Sequence, residues 1–227
     1  MIVEPYNPLD KQNLARSIER EIILRDPVPL AASDGAIGAG VYALYYIGEF
    51  LPYDKLRKIN IGGAFSAPIY VGKAIPGGGR KGGLSGDASK GSAIRRRLAQ
   101  HSSSIAETTN LDLADFYVRW LIVDDIWIPL GENALIETFK PLWNRALDGF
   151  GNNPAGAGRE GQVKSPWDTL HPGRKRALKH NNSAPSEFFE KRVVDYLNGR
   201  EMEPLPRNVR AQLDEEQTIA EEQANEV

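Results

Sequence analysis

Tyr42, Tyr70, Arg97, His101 and Glu132 are the side chains of this 227-residue chain whose combined chemistry would suit attack on a charged, oxygen-rich centre. A guanidinium carries its positive charge on a rigid fork that matches an oxyanion. A carboxylate is a ligand for a hard cation such as Mg²⁺. A phenol, with an ordinary pKa near 10, can deprotonate water only if a partner takes its own proton, and an imidazole can be that partner. Such chemistry requires elements that bring the five together.

The local patterns supply candidates. Gly40-Val41-Tyr42-Ala43-Leu44-Tyr45-Tyr46 and Ile69-Tyr70-Val71 are β-prone runs bounded by glycines. Paired antiparallel, they can present Tyr42 and Tyr70 on one face, with Cβ atoms roughly 5 Å apart if directly opposite. Two strand tyrosines alone would read as sheet packing. Ser92 to His101 has helical spacing, with Ser92 at the cap and Ile94, Leu98 and Ile105 forming an apolar stripe. At about 100° per residue His101 falls inside that stripe and Arg97 on its border, while Arg96 points away. Gly131 to Pro141 reads as a short helix stopped by proline, with Glu132 in its first turn and Asn144 just beyond. Phe116 to Val123 is a strand signal, apolar on both faces apart from Arg119, and is expected to be central. Asp124-Asp125 at its end reads as a turn rather than a metal pair, because adjacent strand residues point to opposite faces.

Taken together, Gly40-Val41-Tyr42, Tyr70-Val71-Gly72-Lys73-Ala74, Arg97 before Leu98, and Glu132-x-x-Leu135-Ile136-x4-Pro141-x-x-Asn144 resemble the GIY-YIG nucleases over residues 38 to 144. Both tyrosine motifs depart from the family spelling, with valine for isoleucine. The family usually places them about ten residues apart, whereas here a long insertion, 49–67, intervenes. The literal Tyr46-Ile47-Gly48 is a decoy: it lies four residues after Tyr42, which leaves no room for a hairpin. The histidine four residues after Arg97, with the insertion, is similar to the stand-alone type II restriction endonucleases that cut CCGCGG.

The resemblance implies an α/β (α+β) fold, a small three-stranded antiparallel sheet flanked by helices, and Mg²⁺-dependent hydrolysis of double-stranded DNA by a homodimer. It implies that Glu132 holds the Mg²⁺, that Arg97 neutralises charge developing on the phosphate, and that Tyr42 is the general base with His101 accepting its proton. Tyr70 is left as a phosphate or water ligand and Asn144 as a structural tie. Lys73 as the base is the alternative. A repair or homing nuclease on the same core, and a catalytically inactive DNA-binding relative, are the rival functions.

Composition narrows the field further. The chain has no cysteine, which excludes disulfides, thiolate metal sites and thiol nucleophiles, and only three histidines, too few for a histidine-rich metal cluster. No apolar run approaches a membrane span and no signal-peptide pattern opens the chain, so a cytoplasmic location and no membrane partner are expected. A net charge of −2 argues weakly against a nucleic-acid partner, but six acids lie in the base-free tail from Asp214 to Glu226; without them 28 bases face 24 acids. Local clustering matters more than the sum.

Three units are expected: an N-terminal helical arm (1–37), a nuclease core with its insertion (38–148), and a basic loop, helix and acidic tail (149–227). In the arm, Asp10 can cap a helix striped by Leu14, Ile18 and Ile22. Either it packs on the sheet or it crosses a dimer, with residues 27–38 as linker. The insertion carries Lys55, Arg57 and Lys58. Residues 76–90 read as a Gly-rich loop whose Arg80, Lys81 and Lys90 either contact DNA or belong to a plain surface loop. Residues 149–182 hold Arg159, Lys164, Arg174, Lys175, Arg176 and Lys179 around Trp167, the candidate segment for reading a G·C-rich site, because arginine pairs bidentately with guanine. A solvated basic loop is the other reading of that segment.

Overall fold

Gly40–Tyr46 (β2) is buried at every position, and a strand with no polar face has to lie inside a sheet. It is hydrogen-bonded antiparallel to Tyr70–Ala74 (β3) on one side and to Phe116–Ile122 (β4) on the other. The computed structural model describes residues 10–76, 89, 91–151, 163–181 and 184–213. Its sheet has four strands rather than three, because Val28–Pro29 (β1) pairs with the outer edge of β4. Proline has no N–H for a second neighbour, so a strand containing it belongs at an edge.

Register decides what can meet. Tyr42 pairs with Gly72 and Trp120, and Leu44 with Tyr70 and Val118, so Tyr42 and Tyr70 share a face as diagonal neighbours, not directly opposite. Val41 pairs with Lys73 and Leu121 and belongs to the other face. The first face is covered by Ala93–Ala106 (α3), which buries Ile94, Leu98, His101 and Ile105. Its cap is Ser92 by position, without a side-chain cap bond. The second face is covered by Ile128–Phe139 (α4) and Lys11–Ile23 (α1), which is capped by Asp10 accepting from the Gln12 N–H. Gly131 lets them close in: a Cβ there would lie 3.2 Å from Ile18 and 3.3 Å from Val41.

The arm therefore packs on its own sheet, and the stretch expected as a linker is β1 followed by a 3-10 helix, Leu30–Gly35. The insertion folds as a 3-10 turn and Asp54–Asn60 (α2). Buried Asn60 clasps it back: its amide donates to Tyr46 O and Ala67 O, and its Oδ1 accepts from Ala67 N. That clasp lets two strands 24 residues apart in sequence pair as closely as a hairpin. After Leu142–Arg145 (α5), Pro166–Leu170 (α6) and Ser186–Leu197 (α7) bury Trp167, Leu170, Phe189 and Val193 in the same hydrophobic cluster as the sheet. The chain beyond residue 148 is thus part of the core at least to α7. Residues 214–227 lie outside the described residues.

Candidate active site

Tyr42 projects from the middle of β2 across Gly72, where an added Cβ would lie 2.4 Å from the Tyr42 hydroxyl; glycine is what leaves room for the phenol. The hydroxyl lies 2.7 Å from His101 Nε2. The Tyr42, Tyr70 and His101 rings form a triangle with centroid separations of 6.3, 5.5 and 5.3 Å. Arg97 reaches the same spot from one turn earlier on α3, where the two phenols are its electrostatic and hydrogen-bonding neighbours. Its guanidinium also donates to Gly151 O at 2.5 Å.

Glu132 enters from α4, on the other face, and forms a 2.7 Å ion pair with Lys73 Nζ. β3 is an edge strand, and the constellation straddles it: phenols on one face, the Lys73–Glu132 pair on the other. The outward edge of β3 is closed by the chain around α5. Asn144 Oδ1 accepts from Val71 N at 2.8 Å, its amide donates to Val71 O at 2.9 Å, and Trp143 N donates to Ile69 O. Asn144 is thus a tie between α5 and the strand that carries Tyr70.

Burial governs the protonation states. It raises the Tyr42 phenol well above the ordinary range, with Tyr70 adding to the rise and Arg97 opposing it. Tyr70 is raised to about 12 by burial, opposed by Arg97 and reinforced by the Glu132 charge. Burial, then Arg97, Arg174 and Arg176, hold His101 well below the ordinary imidazole value, so it is neutral. For Arg97, burial works to lower the pKa, but the charges and hydrogen bonds of Tyr42 and Tyr70 outweigh it and raise the value. A neutral imidazole 2.7 Å from a phenol can take the phenol's proton as the phenol takes one from water. The tautomer that does so carries its own N–H on Nδ1.

Among the described residues no group of three or more histidines and acids could hold a metal. Glu132, with 16% of its side chain exposed, is the acidic group at the site. One carboxylate suits Mg²⁺, which keeps several waters and takes further oxygens from a substrate phosphate. Asp124 and Asp125 instead start the 3-10 turn that leads into α4.

Arg97 and His101 also line a cleft of about 320 Å³, together with Lys175 and Arg176. Lys164 and Lys179 are not among its lining residues, and Arg80, Lys81 and Arg159 lie outside the described residues. Arg174 corrects the expectation of a base-reading cluster, because its side chain is only 2% exposed and its fork is committed inward. Nε donates to Asp168 Oδ1 at 2.5 Å, and the two terminal nitrogens donate to Phe150 O and Gly149 O at 3.2 and 2.9 Å. The guanidinium also stacks over Trp167 at 4.3 Å. Phe150 and Gly151, which sequence reasoning passed over, lie against the site; their only signal was an aromatic residue between two glycines, which reads as a turn.

Two phenols on adjacent strands, an arginine and histidine one helical turn apart, and a glutamate from a later helix define this protein as a GIY-YIG nuclease. The family model for the Eco29kI GIY-YIG domain matches residues 34–197. The chain belongs to that family, a restriction endonuclease family, and no match was found among curated proteins.

Proposed function

We propose that the chain is a Mg²⁺-dependent type II restriction endonuclease, acting in the cytoplasm as a homodimer on a G·C-rich palindrome, CCGCGG. The observation that carries the mechanism is the 2.7 Å Tyr42–His101 contact, with Arg97 beside the same phenol. Tyr42 orients the attacking water and takes its proton while His101 takes the phenolic one. Arg97 meets the charge that spreads over the phosphoryl oxygens. Lys73 is less suited to be the base, because its ammonium is engaged by Glu132. Bound at Glu132, Mg²⁺ would supply Lewis-acid stabilisation of the phosphate and of the leaving oxygen. Lys175 and Arg176, which line the same cleft as Arg97, would hold backbone phosphates beside the cut.

Two-fold symmetric sites are read by symmetric proteins, so the proposal includes a dimer on DNA. A strictly monomeric mass by light scattering, free and on cognate DNA, would remove that part. The central test is Glu132→Gln, which keeps shape and removes the anionic ligand. Plasmid cleavage in Mg²⁺ is expected to be nearly abolished, while DNA binding in metal-free buffer is unchanged or tighter, because a negative charge near the phosphate has gone. Near-normal cleavage at limiting Mg²⁺ would show that the metal ligand is another residue.

A further inference from the structure

Three consecutive residues after α5, Gly149-Phe150-Gly151, touch more of the site than their position outside its motifs suggests. The Phe150 ring stacks on His101 with centroids 4.6 Å apart and planes 18° from parallel, and meets Tyr70 edge-on at 5.1 Å. Trp143 and Trp167 back it at 4.4 and 5.1 Å, so the ring is wedged between a rigid aromatic wall and the imidazole. Gly151 accepts from Arg97 through its carbonyl, and a Cβ on it would lie 2.1 Å from the Tyr70 hydroxyl.

Behind this strap stands Arg174. Its fork spans the two carbonyls of Gly149 and Phe150, while its Nε is held by Asp168, whose other oxygen accepts from the Ser165 hydroxyl at 2.7 Å. Gly149 sits at φ +110°, and a Cβ there would meet Ser165 Oγ at 2.2 Å. A buried bidentate arginine fixes both the distance and the plane of the groups it holds. Here those groups are the backbone that carries Phe150 onto His101.

We propose that residues 149–151 form a further part of the catalytic site, in which Phe150 and Gly151 set the His101 ring, the Tyr70 phenol and the Arg97 guanidinium. Arg174 is the positioning residue that holds the strap in place. The proposal rests on the Tyr42–His101 reading and extends it. Proton transfer along a hydrogen bond tolerates little rotation of the imidazole, and the stacked ring limits that rotation while keeping water off the histidine. A misplacement of about 1 Å at such a site can cost about 100-fold in rate.

The test compares Phe150→Leu and Arg174→Lys with the parent in single-turnover cleavage at saturating duplex DNA across pH, alongside affinity in metal-free buffer and thermal melting. Phe150→Leu keeps an apolar side chain and removes the stack; Arg174→Lys keeps the charge and removes the fork. Each is expected to slow cleavage about 10- to 100-fold with affinity changed less than about threefold. The acid limb of the rate profile should move to higher pH as water reaches His101. Rate loss that only follows loss of folded protein, with the pH profile unmoved, would overturn the proposal.

Two readouts do not need activity. With three histidines in the chain, the His101 ring can be followed by NMR through a pH titration, and Phe150→Leu is expected to raise its midpoint. An unchanged midpoint counts against the strap. Gly151→Ala is expected to lower the melting temperature in the parent and much less in Tyr70→Phe, which lacks the oxygen that the new methyl would meet; equal losses in both backgrounds refute the contact. If the parent cuts no duplex DNA with any divalent cation, the nuclease assignment fails, while these two readouts still decide the strap.

Discussion

Among the described residues stand two buried tyrosine–histidine pairs, and their surroundings differ. Tyr42 and His101 are 2.7 Å apart, and Tyr53 and His171 are 2.5 Å apart. Around Tyr53–His171 every polar atom has a neutral partner. Trp143 Nε1–H donates to the Tyr53 oxygen, the Tyr53 hydroxyl donates to His171 Nε2, and His171 Nδ1–H donates to Asn110 Oδ1. That chain pins α2, α5 and the segment before α7 together. Around Tyr42–His101, by contrast, stand Arg97, a second phenol and the Glu132 charge, and a cleft lined by Arg97 adjoins the pair. The difference teaches that a short Tyr–His bond marks a site only when charge and access accompany it.

The largest expected effect is obtained by removing one hydroxyl from each pair. Tyr42→Phe should slow cleavage by about 10² to 10⁴, the range for a lost general base, with a modest change in melting. Tyr53→Phe leaves a buried indole N–H and a buried imidazole nitrogen without partners and should cost about 1–3 kcal/mol of stability for each. The rate constant of the folded Tyr53→Phe protein should remain within about twofold. Single-turnover rates and denaturant melts on both variants check this; a large rate loss in Tyr53→Phe would mean that the two pairs are coupled.

Next in size is the response to acid, which both pairs should share. Burial lowers His101 well below its ordinary value and, with Arg174 adding, lowers His171 to about 3. The unfolded state, with histidines near 6.5, binds more protons below that pH, so stability is full above about 6.5 and falls as pH drops toward the folded values. His171 should remove about 2 kcal/mol between pH 7 and pH 5, and His101 acts in the same direction. Urea melts at the two pH values measure the sum, and a flat stability across that window would show that both rings are already charged in the fold.

The comparison also explains what the sequence could and could not disclose. Tyr42, Tyr70, Arg97, His101, Glu132 and Asn144 were legible because strand alternation and helical spacing orient side chains locally, and the family motif fixes the remaining order. The fourth strand was not, since two residues ending in proline carry no periodic signal. Arg174 was misread because charge alone suggests solvent; its burial depends on Asp168, Trp167 and two carbonyls that converge only in the fold. The same holds for Tyr53–His171, whose members lie 118 residues apart and match no motif.

The smallest effect sharpens the comparison by giving the core pair a charge. Asn110 accepts from His171 Nδ1–H at 3.0 Å and donates to Leu170 O at 2.9 Å. Asn110→Asp keeps the acceptor and loses the donor, so stability at pH 7 should fall by about 1 kcal/mol for the lost hydrogen bond. The new carboxylate favours a protonated imidazole and should raise the His171 pKa from about 3. The folded and unfolded values then lie closer together, so the variant should lose less stability than the parent between pH 7 and pH 5, by about 1 kcal/mol. Cleavage should not change, because Tyr53 and His171 are hydrogen-bonded to Trp143 and Asn110 and not to the candidate site's side chains. An acid response identical to the parent's would show that His171 is held neutral by something other than burial without a charged partner, and the contrast between the two pairs would then lie in access alone.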